Sequence, residues 1–304
     1  MKLKAIGIAN KSQSGKILDV YFPIIETEMM SINFQVPEIT NHLQEVVEVE
    51  WIKSELNDGV SDPISAYLKL QLLSNKFVLP NSINLNGLFN ALPNIAWTNN
   101  GPIAADEIDE ILHNSKITKN NLHIRSLDKF PCMTDYVIPK NVRIADATRV
   151  RLGAYLSEGT TVMHEGFVNF NAGTLGKAMI EGRISSGVIV GNNSDIGGGS
   201  STMGTLSGGN ETKISIGENC LLGANAGIGI SLGDNCTVEA GLYLTAGTKI
   251  HLMDQNSKKF EIVKAREISG KSNLLFLRDS LSGKVLAKRN SKKSLLNTEL
   301  HNND

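Results

Sequence analysis

The chain is poor in cysteine, proline and aromatic residues, and each scarcity excludes something. Three cysteines, Cys132, Cys220 and Cys236, stand among 304 residues. An odd number with no CxxC pair and no nearby histidine argues against a disulfide framework or a zinc site, and predicts buried thiols in a cytoplasmic protein. No run of 18 apolar residues occurs, and MKLKAIGIANKSQSGK lacks an apolar stretch of signal-peptide length, so neither a membrane span nor an export signal is expected. Charge of one sign is not in excess: 30 Lys plus Arg face 31 Asp plus Glu. No global field therefore draws the chain to nucleic acid or an anionic membrane, and partners must be sought at local sites. HExxH, a nucleophile elbow and a Walker GK[ST] are all missing, the glycine-rich GGGSSTMGTLSGG included. The histidines His42, His113, His123, His251 and His301 are scattered, and only His164 stands beside another candidate group, Glu165.

What is abundant is glycine, 28 residues, crowded between positions 153 and 247. In the same region aliphatic residues recur every six positions: Ile138, Ile144, Val150, Leu156, Val162, Val168; then Ile184, Val190, Ile196; then Ile216, Leu222, Ile228; then Leu232, Val238, Leu244, Ile250. Six is not a helical period, and the segment is rich in Gly, Val, Ile, Thr and Asn, so a short strand followed by a turn is the unit. Ile214, Cys220, Ala226, Cys236 and Leu242, two residues before an aliphatic, form a second inward position. Three sixes close one triangular coil, and coils stacked at about 4.8 Å place like on like, giving a parallel β-helix. The regular sixes are core, and chemistry is expected where the period breaks.

It breaks between Val168 and Ile184, between Ile196 and Ile216, and in GIGISLGD. The two longer intervals are expected to be loops leaving the prism, where sites are commonly built. The first gathers Glu165, Asn169, Asn171, Lys177, Glu181 and Arg183, with Glu181 and Arg183 flanking Gly182. A carboxylate and a guanidinium held at the wall can address a substrate.

The stretches GTTVMHEGFVNFNAGTLGKAMIEGRIS, DIGGGSSTMGTLSGG, LLGANAGIGISLGDNCTVEAGLYLTAGTKI and VKAREISGKSNLLFLRDS resemble the tetrahydrodipicolinate N-succinyltransferases of the long N-terminal-domain type, within the hexapeptide-repeat acyltransferases. The resemblance covers roughly residues 138 to 280 and implies a left-handed coil, a homotrimer with sites between subunits, and transfer of succinyl from succinyl-CoA to the amino group of L-2-amino-6-oxopimelate on the route to diaminopimelate and lysine. It places the family's catalytic glutamate on Glu181. The family is credited with an acyl-anhydride step, but a mixed anhydride lies above the thioester in energy, so a general-base or ammonium-orienting role is chemically easier. The resemblance puts acyl-CoA contacts on Arg183, Gly198, Ser201, Ala224, Glu239, Ala240, Gly247, Lys264, Leu277, Arg278, Asp279 and Ser280. It also implies Mg2+ or Ca2+ on the threefold axis with Glu165 as a ligand. The second acid expected there is replaced by Thr148, with Asp146 close by.

The expected organisation is mainly β: an N-terminal α/β domain over 1–120, a linker over 121–137, the β-helix over 138–255, and a C-terminal hairpin cap with a polar tail over 256–304. LKAIGIAN, ILDVYFPI and EVVEVEWI read as strands. DPISAYLKLQLLSN, with Asp62 as N-cap and Pro63 in the first turn, reads as a helix, as does AADEIDEILHNS. LLFLRDS and VLAKRN read as a hairpin that would cover the open strand edge of the prism. Two alternatives keep the fold: a hexapeptide-repeat N-acetyltransferase with another acceptor, and a non-catalytic β-helix scaffold. A γ-type carbonic anhydrase is disfavoured, because its three metal-binding histidines are missing from the prism.

Overall fold

A computed structural model describes residues 2–36, 38–207, 211–253 and 260–291. Its chain forms two compact units, 1–131 and 132–304.

The first unit is built on an antiparallel sheet of β1 (Lys2–Lys11), β2 (Ile17–Thr27), β3 (Ser31–Asn33) and β4 (Gln44–Ile52), in the order β3-β2-β1-β4. Alternation buries Leu3, Ala5 and Ala9 of β1 on one face, as period-two patterning requires. Helix α1 (Pro63–Ser74) starts as its sequence dictates, with the Asp62 carboxylate accepting from the Ser65 N–H at 2.9 Å and Pro63 in the first turn. Gln71 ties α1 to β2 by accepting from the Phe22 N–H (3.0 Å) and donating to the Val20 carbonyl (2.8 Å). Lys69, 1% exposed, donates to the carbonyls of Leu56, Asp58 and Asn84. After α2 (Leu88–Ala91), β5 (Ile95–Thr98) and β6 (Gly101–Ala104) form a hairpin, α3 (Ile108–Thr118) follows, and β7 (Ile124–Asp128) pairs with β5. Pairing is antiparallel throughout, so the unit is α+β rather than interleaved α/β. The stretch expected as a linker, 121–137, instead carries β7 and the short turn Met133–Asp135. β7 completes a three-stranded sheet.

The second unit is a three-sided coil of short parallel strands. One face stacks Ile144, Val162, Ile180, Ile196, Leu222, Val238 and Phe276 in register. A second stacks Val150, Val168, Ile184, Thr202, Ile228 and Leu244, and a third Leu156, Thr174, Val190, Ile216 and Leu232. All but Ile144 are buried. The second inward positions Ile214, Cys220, Ala226, Cys236 and Leu242 are buried as well, and all three cysteines are free thiols. Ile138, expected to open the first column, is 79% exposed. The rungs begin at Arg143–Ile144, so Ile138 has no strand to stack on.

The interval from Val168 to Ile184 is not a loop leaving the prism. It is a complete turn of the coil in which Thr174 and Ile180 hold the inward positions. Thr202 does the same in the second interval. Both threonines are fully buried, because their hydroxyls find partners at the corners. Thr202 Oγ1 donates to the Arg183 carbonyl (3.0 Å) and accepts from the Ser185 N–H (3.1 Å). Thr174 Oγ1 accepts from the Ser157 N–H (3.1 Å). What interrupts the count is a corner shortened to four residues, from Ile180 to Ile184 and again from Ile228 to Leu232. The true excursion lies between Thr202 and Ile216, where Thr205 bridges Lys213 in antiparallel fashion. Corners rely on asparagine as well as glycine: Asn171, Asn193, Asn219, Asn225 and Asn235 all have φ between 54° and 57°, the left-handed region that asparagine tolerates.

The expected cap is present. Leu274–Arg278 and Val285–Arg289 form an antiparallel hairpin, whose first strand pairs with Thr237–Val238 and so covers that edge of the coil. The polar tail from 292 to 304 and the domain boundary at 255/256 lie outside the described residues.

Candidate active site

The shortened corner Ile180–Ile184 carries Glu181, Gly182 and Arg183. Two backbone bonds fix it to the next rung: Glu181 N–H donates to the Ile196 carbonyl and Arg183 N–H to the Ser200 carbonyl, both at 2.8 Å. Gly182 faces inward over Ser200, and a β-carbon there would collide with the Ser200 hydroxyl and carbonyl. Only glycine fits, so an acid and a base can sit one residue either side of a point clamped to the wall.

Arg183 is exposed, and its guanidinium is held by one neighbour. Nε and Nη2 donate to Ser201 Oγ at 3.1 and 2.7 Å, the two residues being register partners on adjacent rungs. That anchor leaves the remaining N–H groups of the planar fork for an anion.

Glu181 and Glu165 converge on Gly198. An atom at the β-position of Gly198 would lie 3.6 Å from Glu181 Oε2 and 3.7 Å from Glu165 Oε2. Both carboxylates therefore face one space, kept open by the missing side chain. The backbone of Glu165 is pinned by Arg149, which donates to the carbonyls of Glu165 (2.8 Å) and Gly166 (3.1 Å). Asp195, on the neighbouring rung beside Met179, completes the acidic surroundings. Burial, and then the charge of Glu181, push its carboxyl above the usual range. Near Glu165, the Thr148 hydroxyl and N–H both donate to Asp146 Oδ1 (2.6 and 2.9 Å). These bonds hold the Asp146 carboxyl below the usual range.

Of the residues expected to contact an acyl donor, several continue along this edge. Asn225 N–H donates to the Gly198 carbonyl and Gly241 N–H to the Ala224 carbonyl, each at 2.9 Å, so Gly198, Ala224 and Ala240 follow one another from rung to rung. Ala224 and Ala240 are exposed and small. Beyond them Glu239 Oε2 accepts from the Arg278 N–H at 2.7 Å, tying the cap hairpin to the edge. Arg278 Nη1 donates to the Gly283 carbonyl at 3.0 Å, and Asp279, next to Ser280, accepts from the Leu281 N–H at 3.2 Å. Leu277 lies in the hairpin opposite Leu286. Lys264 pairs in register with Lys249, two residues beyond Gly247. Nothing lies within 4 Å of a β-carbon built on Gly247, so sterics do not require glycine there.

Sequence reasoning missed Asp195. Its signal was an acid inside a two-sided strand, between the buried Ser194 and Ile196, where a charge has no reason to stand unless it is used or paired. Among the described residues of one chain, no group of three His, Cys, Asp or Glu is arranged to hold a metal ion. No helix among them is long and apolar enough to cross a membrane.

Two family models match the chain: a hexapeptide repeat of succinyl-transferase over residues 213–246, and the middle part of tetrahydrodipicolinate N-succinyltransferase over residues 92–131. Proteins of Pseudomonas putida and Vibrio cholerae named 2,3,4,5-tetrahydropyridine-2,6-dicarboxylate N-succinyltransferase are each 57% identical to it. The first match covers 80% of this chain and 71% of the relative, the second 82% and 72%. A solved Campylobacter jejuni structure, described as a candidate 2,3,4,5-tetrahydropyridine-2-carboxylate N-succinyltransferase, superposes with a TM-score of 0.84 at 34% identity. That match covers 96% of this chain and 93% of the other.

Proposed function

Since the chain belongs to the tetrahydrodipicolinate N-succinyltransferases, acyltransferases of diaminopimelate and lysine biosynthesis that use succinyl-CoA, we propose that its transfer to L-2-amino-6-oxopimelate takes place at the edge bearing Glu181 and Arg183. The observation that carries this reading is the pairing of an unobstructed carboxylate with a guanidinium anchored to Ser201, clamped on either side of Gly182.

The neutral amine attacks the thioester carbonyl, forming the C–N bond and a tetrahedral oxyanion. Glu181 takes the proton that the nitrogen must shed. Collapse of the oxyanion breaks the C–S bond, and the thiolate leaves and takes up that proton as CoA–SH. Arg183 offers its free N–H groups to the single carboxylate of the succinyl group or to one of the two carboxylates of the acceptor. The strip Gly198–Ala224–Ala240 lets a flat pantetheine arm lie against the coil. Arg278 and Lys264 supply positive charge for its phosphates, and Glu239, through the Arg278 N–H, keeps the cap hairpin in place for this task. Leu277, Asp279 and Ser280 border the same end, and Gly247 lies by Lys264.

The coil is read as left-handed and the assembly as a cytoplasmic homotrimer, in which a neighbouring copy closes each exposed edge. A hard divalent cation such as Mg2+ or Ca2+ suits Glu165 repeated about an axis, since its carboxylate oxygens are the right donors. Thr148 does not fit as a second ligand: it has no charge, and its hydroxyl is spent on Asp146. No chemical step requires the ion.

The test is thiol release from succinyl-CoA and from acetyl-CoA, each with and without the acceptor. Release that depends on both succinyl-CoA and the acceptor supports the reading. Equal rates with acetyl-CoA would point to a different acyl donor.

A further inference from the structure

Three carboxylates stand at this corner, and among the described residues none of them has a side-chain hydrogen bond or ion pair. Glu165 and Glu181 face the space at Gly198, and Asp195 directly precedes Ile196, whose carbonyl accepts from the Glu181 N–H at 2.8 Å. The nearby guanidinium groups bond to other partners, Arg183 to the Ser201 hydroxyl and Arg149 to two backbone carbonyls. The Ser200 hydroxyl, under Gly182 at the same corner and 2% exposed, also has no partner among the described residues. Like charges gathered without a counter-charge are costly, more so where burial thins the solvent. Such an arrangement persists where a cation arrives to use it.

Asp195 is the member that a surface reading does not explain. It occupies the middle of the strand Ser194–Ile196, is largely withdrawn from solvent, and has Leu221 as its neighbour on the following rung. Met179 flanks it on the other side, so the strands beside it contribute no cation. Burial, and then the like charge of Glu181, raise its pKa.

We propose that Asp195 is a specificity-determining residue for the acceptor, forming with Glu181 a carboxylate pair that recognises the substrate's α-ammonium group before that group releases one proton to bulk water and attacks as the neutral amine. This rests on the assignment of the Glu181 edge as the site of transfer. It explains why a diacid substrate, which should be repelled by the carboxylates of Glu181 and Asp195, is admitted: the ammonium pairs with both while Arg183 meets a carboxylate. A diacid of the same length without the amine would bring only repulsion.

The experiment compares binding of L-2-aminopimelate with that of pimelate by calorimetry, in the presence of CoA. Wild type is expected to prefer the aminated diacid by about tenfold or more. Asp195→Asn is expected to reduce that preference to about threefold or less, with the KM for succinyl-CoA unchanged, and Asp195→Glu to restore part of it. Should the asparagine variant fail to fold by circular dichroism, Asp195→Ser is the second variant, and the same collapse of preference is expected. An undiminished preference in a folded variant lacking the Asp195 charge overturns the proposal. The two levels of the argument separate cleanly: normal turnover by Glu181→Gln would refute the site itself, whereas an inactive Glu181→Gln beside an Asp195→Asn that keeps its preference would refute only the role of Asp195.

Discussion

Arg183 and Ser201 occupy register-matched positions on adjacent rungs, and one hydroxyl receives two N–H groups of the guanidinium, at 3.1 and 2.7 Å. The cation is thereby aimed by the coil itself rather than by a loop. A long, exposed arginine otherwise loses considerable side-chain entropy when it binds an anion; here part of that ordering precedes the ligand.

Ser201→Ala should therefore weaken anion capture without disturbing the fold. The KM for succinyl-CoA is expected to rise about three- to tenfold, the effect of one hydrogen bond to a charged group, with a smaller change in kcat. Steady-state kinetics at saturating acceptor checks it.

Thr202 stands where the hexad pattern asks for an aliphatic residue, and Thr202→Val would make the sequence more regular. We expect it to make the protein less stable, by about 1–3 kcal/mol, because the Ser185 N–H and Arg183 carbonyl would lose their partner in a dry interior. Urea denaturation of the two proteins, compared at equal m-value, is the measurement.

Lys69 makes a prediction about pH. Burial lowers its pKa below the ordinary 10.5, with Asp58 opposing the shift. A lysine whose folded pKa is depressed binds fewer protons in the native state than in the unfolded state, so stability rises with pH from the depressed value up to 10.5. The stability of wild type relative to Lys69→Met should therefore increase as pH is raised toward 10.5, read as the difference in denaturation midpoint at each pH.

The aliphatic sixes made the prism legible, since Val162, Val168, Val190, Leu222 and Val238 all line its interior. Its second breach was not legible, because a threonine whose hydroxyl is satisfied at a corner serves as well as a valine, and hydropathy cannot register that satisfaction. The same blindness turned one full coil into an expected loop. Glu181 and Arg183 stand out in the sequence as an acid and a base around a glycine, and they sit on a four-residue corner over Ser200, not on an excursion. The convergence of Glu165 and Glu181 at Gly198 draws on residues spread over 33 positions, from 165 to 198, and only the stacking of successive rungs brings them to one place. Asp195 carried a signal, a charge between two buried neighbours, but its meaning depends on Glu181 lying one rung away.

The most direct test of the whole account is the turnover of Glu181→Gln, assayed as CoA release from succinyl-CoA with the acceptor present, on protein whose circular dichroism and molar mass match wild type. Loss of the carboxylate that takes the amine's proton should lower kcat by about a hundredfold or more. A kcat within about threefold of wild type would contradict the assignment of the transfer chemistry to this corner.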